Sequence, residues 1–262
     1  MSETRDIRVT VREKYGAIAE GKRSGSGCCG SECGCGDVLE QIGYTDEQAA
    51  AIPEGANLGL GCGNPLALAD VKAGETVLDL GSGAGIDCFL AAVEAGPTGR
   101  VIGVDMTPAM LEKARANAAK AGRTNVEFRL GEIEHLPVAD GTIDLVISNC
   151  VINLSPDKPR VFAEAFRALE PGGRMMVSDL VLLRPLTPEM QADVDLYVGC
   201  VAGASLKGEY LEMMRGAGFT GVEVLEETAY TVGADSLPAG SSEREAFDSV
   251  VSIKVRAWKP KV

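Results

Sequence analysis

The feature that most constrains this chain is a rhythm that begins near residue 75. Short apolar runs at Val77–Leu80, Arg100–Asp105, Val126–Leu130, Ile143–Asn149 and Arg174–Asp179 read as strands. Helical stretches separate them: one near 86–95, one from the Thr107-Pro108 cap to about 121, and one from Ser155-Pro156 to near Pro171. Strands that alternate with helices of roughly 10–15 residues pair in parallel, because each helix carries the chain back to the same end of the sheet. The expectation is a doubly wound α/β fold whose ligands lie at the carboxyl ends of the strands.

On either side of this region the pattern is looser. Ile7, Val11, Tyr15 and Ile18 recur at helical spacing and predict a helix over 6–19. Residues 21–37 turn to Gly, Ser and Cys, a composition that builds no core. Thr45 and Gln48 have capping-box spacing and open a short helix ending at Pro53. Asn64-Pro65 reads as a cap and first turn. After the fifth strand, Thr187-Pro188 opens a helix to about 197, 207–217 is another, and 220–231 and 247–257 are two closing strands. The chain divides into an N-terminal helical and Cys-rich segment (1–70), a central domain (71–183) and a C-terminal lobe with the closing strands (184–262). No internal repeat is present.

Where the first strand meets the first helix stands Asp79-Leu80-Gly81-Ser82-Gly83-Ala84-Gly85. The dinucleotide fingerprint requires G-x-G-x-x-G. Here the third glycine comes one residue early and Ile86 occupies its place. The pattern D-x-G-x-G-x-G resembles the glycine-rich loop of class I S-adenosylmethionine-dependent methyltransferases. Asp105 ends the second strand, where a carboxylate can accept both ribose hydroxyls. Gly131-Glu132-Ile133 follows the third, where that family contacts adenine. The resemblance implies a Rossmann-like, mostly parallel sheet with a small C-terminal α+β substrate lobe. It also implies cofactor contacts from Asp79, Gly81, Ser82, Gly83, Gly85, Asp105, Met106, Glu132, Ile133 and Asn149. No G-x-x-x-x-G-K-[ST] motif exists, which excludes nucleotide hydrolysis of the P-loop type.

Composition narrows the partners. The 262 residues carry 25 Lys plus Arg against 38 Asp plus Glu, a formal charge of −13. That argues against nucleic acid or an anionic membrane, both of which reward a basic face. No run of 18 apolar residues occurs, and the charged N-terminus has no signal core; a cytoplasmic protein is expected. The single histidine, His135, excludes a multi-histidine metal site and reads as a loop or surface residue. Eight cysteines in such a chain favour metal, metalloid or thiol chemistry over a disulfide scaffold. Cys28, Cys29, Cys33 and Cys35 crowd together, too closely for the usual paired zinc arms. Cys62, Cys88, Cys150 and Cys200 stand apart.

Cys150 follows Ser148-Asn149 at the carboxyl end of the fourth strand. Cys62 lies in a Gly61-Cys62-Gly63-Asn64-Pro65 loop, and Cys200 in Tyr197-Val198-Gly199-Cys200-Val201. Three thiols from three segments could converge on a soft, thiophilic centre. Ser148-Asn149-Cys150-Val151-Ile152-Asn153-Leu154 with Pro156-Asp157-Lys158 resembles the arsenite methyltransferases. So do the Asp79 to Asp87 run, the Gly-Cys-Gly-Asn-Pro loop and the Cys200 segment, over about residues 10–220. The resemblance implies that Cys62, Cys150 and Cys200 bind trivalent arsenic. The arsenic lone pair would attack the sulfonium methyl of S-adenosylmethionine. Arsenite and then methylarsenite would be the substrates, a thiol reductant such as glutathione or thioredoxin would turn the site over, and the protein would act as a monomer. Animal members carry an aromatic residue where this chain has Leu60, and they continue past the position of Val262.

Cys88, inside a helix, reads as core packing. For the 28–35 cluster, zinc binding, an arsenic relay through Cys28 and Cys29, and an unstructured tail stay open. Two other functions fit less of the sequence. A methyltransferase for an organic small molecule such as a quinone explains the fold but not three separated cysteines. A non-catalytic metalloid-binding module explains the cluster but not the cofactor motifs.

Overall fold

The apolar runs become strands because each has two faces to bury. β1 (Thr76–Leu80), β2 (Arg100–Asp105), β3 (Val126–Leu130), β4 (Ile143–Asn149) and β5 (Leu169–Leu182) pair in parallel. β6 (Thr220–Ala229) and β7 (Val250–Trp258) complete a seven-stranded sheet in the order β3-β2-β1-β4-β5-β7-β6, with β7 antiparallel to both neighbours. The computed structural model describes residues 6–22, 43–61, 63–230, 244 and 248–261. The closing strands therefore extend the same sheet that holds the glycine-rich motif.

Successive side chains on β1 go to opposite faces. Leu78 and Leu80 join a core with Val104, Phe162, Tyr210 and Ile253, while Val77 joins another with Phe89, Leu111, Leu145 and Ile147. Helices cover both layers: α1 (Ile7–Ala19), α2 (Asp46–Ala51), α3 (Ile86–Ala95), α4 (Pro108–Lys120), α5 (Lys158–Ala168), α6 (Pro188–Gln191), α7 (Val194–Val198) and α8 (Lys207–Gly216). The chain runs outward from β1 to β3 and then returns to β4 on the other side of β1. That reversal opens a crevice between the carboxyl ends of β1 and β4. A third apolar cluster lies beside it and includes Val11, Cys150, Leu154, Met190 and Cys200. No described helix is long and apolar enough to cross a membrane.

Several element boundaries differ from the sequence expectation, three of them for a visible reason. α5 starts at Lys158 rather than at Ser155-Pro156, because Asp157 accepts from the Arg160 amide at 3.1 Å and serves as the cap. The Ser155 hydroxyl instead donates to buried Glu134. β5 begins at Leu169, which pairs with Ile143, so α5 ends before Pro171. The helix expected over 187–197 is two, since Asp193 accepts from the amides of Asp195 and Leu196 and caps a new start. The capping box at Thr45 and Gln48 forms as the sequence predicts.

Candidate functional site

The glycine-rich turn owes its shape to space as much as to backbone freedom. Gly81 has φ 68°, and a Cβ there would lie 2.3 Å from the Val151 side chain. Gly85, at φ 100°, caps α3, and a Cβ would strike Phe89 and Phe128. Between them, a Cβ on Gly83 would meet nothing within 4 Å, so that part of the turn faces open space. Asp105 ends β2, beside the turn and on the other side of β1 from β4. One carboxylate oxygen accepts from the Gly83 amide at 3.0 Å and the other from the Thr107 amide at 2.7 Å. Burial pushes its pKa up against those two bonds. The Ser82 hydroxyl is buried with no hydrogen-bond partner. An orphan hydroxyl, a bare backbone and a fixed carboxylate suit a ligand with a polar, ribose-like edge.

Behind the turn lie two buried carboxylates. Asp79 receives the Cys88 thiol at 3.2 Å, and its pKa is raised by burial and by the charges of Asp87 and Asp105. Cys88 is wholly buried, so it packs the core as expected, and it also satisfies an acid, which its position alone did not suggest. Asp87 accepts from the Tyr44 hydroxyl at 2.7 Å and from Asn149 Nδ2 at 3.1 Å. Burial raises it to about 6 despite these donors. Asn149 Nδ2 also lies 2.7 Å from the Gly63 carbonyl and 3.1 Å from the Tyr44 hydroxyl. Asn149, expected at the cofactor, thus joins the end of β4 to α3 and to the glycine loop that precedes the sheet.

The structure brings two of the singled-out cysteines together. Cys200 Sγ lies 2.9 Å from the Cys150 carbonyl oxygen, and each residue is only 5% exposed. The Cys200 turn is docked on the segment after β4 by two further approaches. Tyr197 donates to the Leu154 carbonyl at 3.1 Å, and a Cβ on Gly203 would lie 2.1 Å from the Asn153 carbonyl. Cys150 and Cys200 both adopt left-handed backbone, at φ 59° and 64°. Among the described residues only Asp70 joins them as a non-glycine residue of positive φ, and such outliers gather where side chains must be aimed. Lys158 sits nearby, partly buried. Burial lowers its pKa, while the charges of Asp179 and Cys200 oppose that shift. Cys150 is disulfide-bonded. The expected roles of Cys62, Cys28, Cys29, Cys33 and Cys35 fall outside the described residues.

Sequence reasoning did not foresee what α1 does. Arg8 donates to the Glu132 carboxylate at 2.9 Å, and Arg12 lies 3.6 Å away. Lys14 pairs with Asp195 at 3.1 Å, and Tyr15 donates to the Val198 carbonyl at 3.3 Å. Val11 and Tyr15 enter the apolar cluster of Cys150, Cys200 and Met106. The helix therefore bridges the loop after β3 and the Cys200 segment across the crevice. Ile133, next to Glu132, is buried, and His135 is exposed as expected.

Similarity to known proteins places the chain in a family. A family model for a methyltransferase domain matches residues 71–218. The arsenite methyltransferase of Halobacterium salinarum is 48% identical over 98% of this chain and 67% of its own length. That of Aquipseudomonas alcaligenes is 42% identical over 68% of this chain, which spans about half of it at 53%. Among solved structures, an arsenic(III) S-adenosylmethionine methyltransferase from Chlamydomonas reinhardtii is 35% identical, with a TM-score of 0.66 over 86% of this chain and 74% of that one.

Proposed function

Because this chain belongs to the arsenite methyltransferase family, we propose that it methylates trivalent arsenic held by its own cysteine sulfurs, with S-adenosylmethionine as donor. The observation that carries this reading is the approach of Cys200 Sγ to the Cys150 main chain, at the end of β4 beside the glycine-rich turn. When bound, the cofactor supplies an electrophilic methyl group. The bare Gly83 backbone and Asp105 would hold its nucleoside half, and the unpaired Ser82 hydroxyl would gain a partner. Met106, Glu132 and Ile133 surround that half in this reading, while Asp79 stays behind the turn against Cys88.

Cys150 and Cys200 would hold arsenic as thiolates, since soft sulfur matches a soft centre. Lys158 places a cationic side chain near Cys200. α1 covers the site with Val11 and Tyr15 and keeps water from it. The disulfide at Cys150 has to open first: two cellular thiols, or one dithiol, supply the two electrons and leave joined as a disulfide, while the protein bond breaks to two thiols. This fits a reducing, cytoplasmic setting.

The test is direct. The reduced protein is incubated with S-adenosylmethionine, arsenite and a thiol, and methylated arsenicals are measured. Cys150→Ser and Cys200→Ser should abolish product while circular dichroism is unchanged. Cys88→Ser should keep most of the activity, because that thiol faces Asp79 inside the core. An active Cys150→Ser enzyme would end the arsenic-site reading.

Valence divides the thiols further. Arsenite offers three exchangeable positions, whereas methylarsenite has one filled by carbon and can take only two thiolates. Cys62→Ser, and a Cys28→Ser/Cys29→Ser double variant, should therefore slow methylation of arsenite and spare methylarsenite. Equal loss on both substrates would refute that division.

A further inference from the structure

Four segments far apart in sequence meet at a knot of polar groups behind the crevice. Asn149 Nδ2 at the end of β4 lies 2.7 Å from the Gly63 carbonyl and 3.1 Å from an Asp87 carboxylate oxygen in the first turn of α3. The other oxygen of Asp87 accepts from Tyr44 at 2.7 Å. Tyr44 is held from behind: Asn64 Nδ2 donates to the Gly43 carbonyl at 3.0 Å and to Gln48 Oε1 at 2.9 Å, and Gln48 belongs to the capping box of α2. Tyr44, Asn64 and Asp87 are all buried.

The knot grips both neighbours of one residue. A Cβ on Gly61 would lie 3.1 Å from the Asn149 amide. A Cβ on Gly63 would lie 1.9 Å from Ser178 Oγ, while its carbonyl is the one that Asn149 holds. No larger side chain fits at either place without a shift. The residue between them in sequence is Cys62.

We propose that Asn149, Asp87 and Tyr44 are positioning residues that fix the Gly61 and Gly63 backbone against the end of β4, and so determine how strongly the protein prefers inorganic arsenite to methylarsenite. The inference rests on the reading above, in which Cys62 is the third sulfur. A three-sulfur ligand set depends on the placement of the loop. A two-sulfur set made by Cys150 and Cys200 depends on it far less. Asp87 is the pivot because it is the one acceptor shared by Tyr44 and Asn149, and a hydrogen bond to a buried charge is among the stronger kinds.

The experiment measures binding, not turnover. The full chain is reduced with a phosphine, so that no added thiol competes. Equilibrium dialysis against sodium arsenite and against methylarsenite then gives two affinities from bound arsenic. Tyr44→Phe keeps the ring and removes the hydroxyl that donates to Asp87 and accepts from Asn149, and Asp87→Asn keeps the shape and removes one acceptor. Each should lower the arsenite-to-methylarsenite affinity ratio about tenfold. A general loss of structure would lower both affinities and leave the ratio alone. Cys62→Ser run in parallel separates the two claims. If Cys62→Ser lowers the ratio and the other two variants do not, the positioning role is overturned. If Cys62→Ser leaves the ratio unchanged, the three-sulfur reading falls and the positioning role falls with it.

Discussion

Asp105 uses one carboxylate twice, restraining the Gly83 amide on one side and the Thr107 amide on the other. It is thereby held at the mouth of the crevice before any ligand arrives. Asp105→Ala should weaken S-adenosylmethionine binding about ten- to a hundredfold, as removal of a charged acceptor worth roughly 1.5–3 kcal/mol would. Calorimetric titration of the cofactor reads this, and wild-type affinity would sink the assignment. Cys88 offers a second residue-scale test. Its thiol donates to Asp79, an acid with no exit to solvent. Cys88→Ser retains a donor, whereas Cys88→Ala leaves a buried oxygen short of one, at a cost of about 1–3 kcal/mol. Urea denaturation should rank serine above alanine, and equal stability would remove the hydrogen bond from the account.

The strands were legible as elements because each is a short apolar run between breakers. The expected limits of β2, β3 and β4 coincide with the observed ones. Helix starts were harder, because Ser155, Asp157 and Asp193 are all competent caps and only tertiary contacts select among them. The glycine turn could be read because crowding at Gly81 and Gly85 forces a residue type. The knot at Asp87 could not, since Tyr44, Asp87 and Asn149 are ordinary residues whose meeting depends on the whole sheet. The same holds for α1. Its periodicity announced a helix, but nothing in it announced Glu132 or Asp195 as partners. Those ion pairs are about a third or more exposed and contribute under about 1 kcal/mol each. Val11, 2% exposed among Cys150 and Leu154, should matter more. Val11→Ala is expected to cost about 1–3 kcal/mol, by analogy with small core truncations. It should also speed protease cleavage after Lys22. Unchanged stability and cleavage together would mean that α1 does not seal the cluster.

Taken as one titrating body, the molecule has an unusual store of protonated acid. Burial raises Asp179 to about 7 and Asp87 to about 6, from an ordinary 3.8. Unfolded, both lose their protons near pH 4; folded, they keep them up to these higher values. The folded state therefore binds more protons across that window, and stability declines as pH rises from about 4 to about 7, then levels. The formal charge of −13 adds repulsion in the same direction. Below the window the sign reverses. Glu127, held at about 2 by Arg129 and Arg100, contributes stability that is lost as pH falls from 4.5 toward 2. Scanning calorimetry should find a higher melting temperature at pH 5 than at pH 8. Asp179→Asn, which cannot ionise beneath Tyr210 and Asn153, should narrow the difference. A melting temperature that climbs from pH 5 to pH 8 would show that these acids ionise freely in the fold.

The left-handed backbone at Cys150 and Cys200 has a consequence for heredity. Every residue other than glycine is held there against a local cost of about 1 kcal/mol, whatever its side chain does. Cys200→Gly should therefore be at least as stable as Cys200→Ala, the reverse of the order seen inside helices. The backbone alone pulls both codons toward glycine, while the packing of the buried sulfurs and the use made of them pull back. A lineage that no longer met arsenic would keep these two cysteines only for the packing their sulfurs supply, with the backbone working against them.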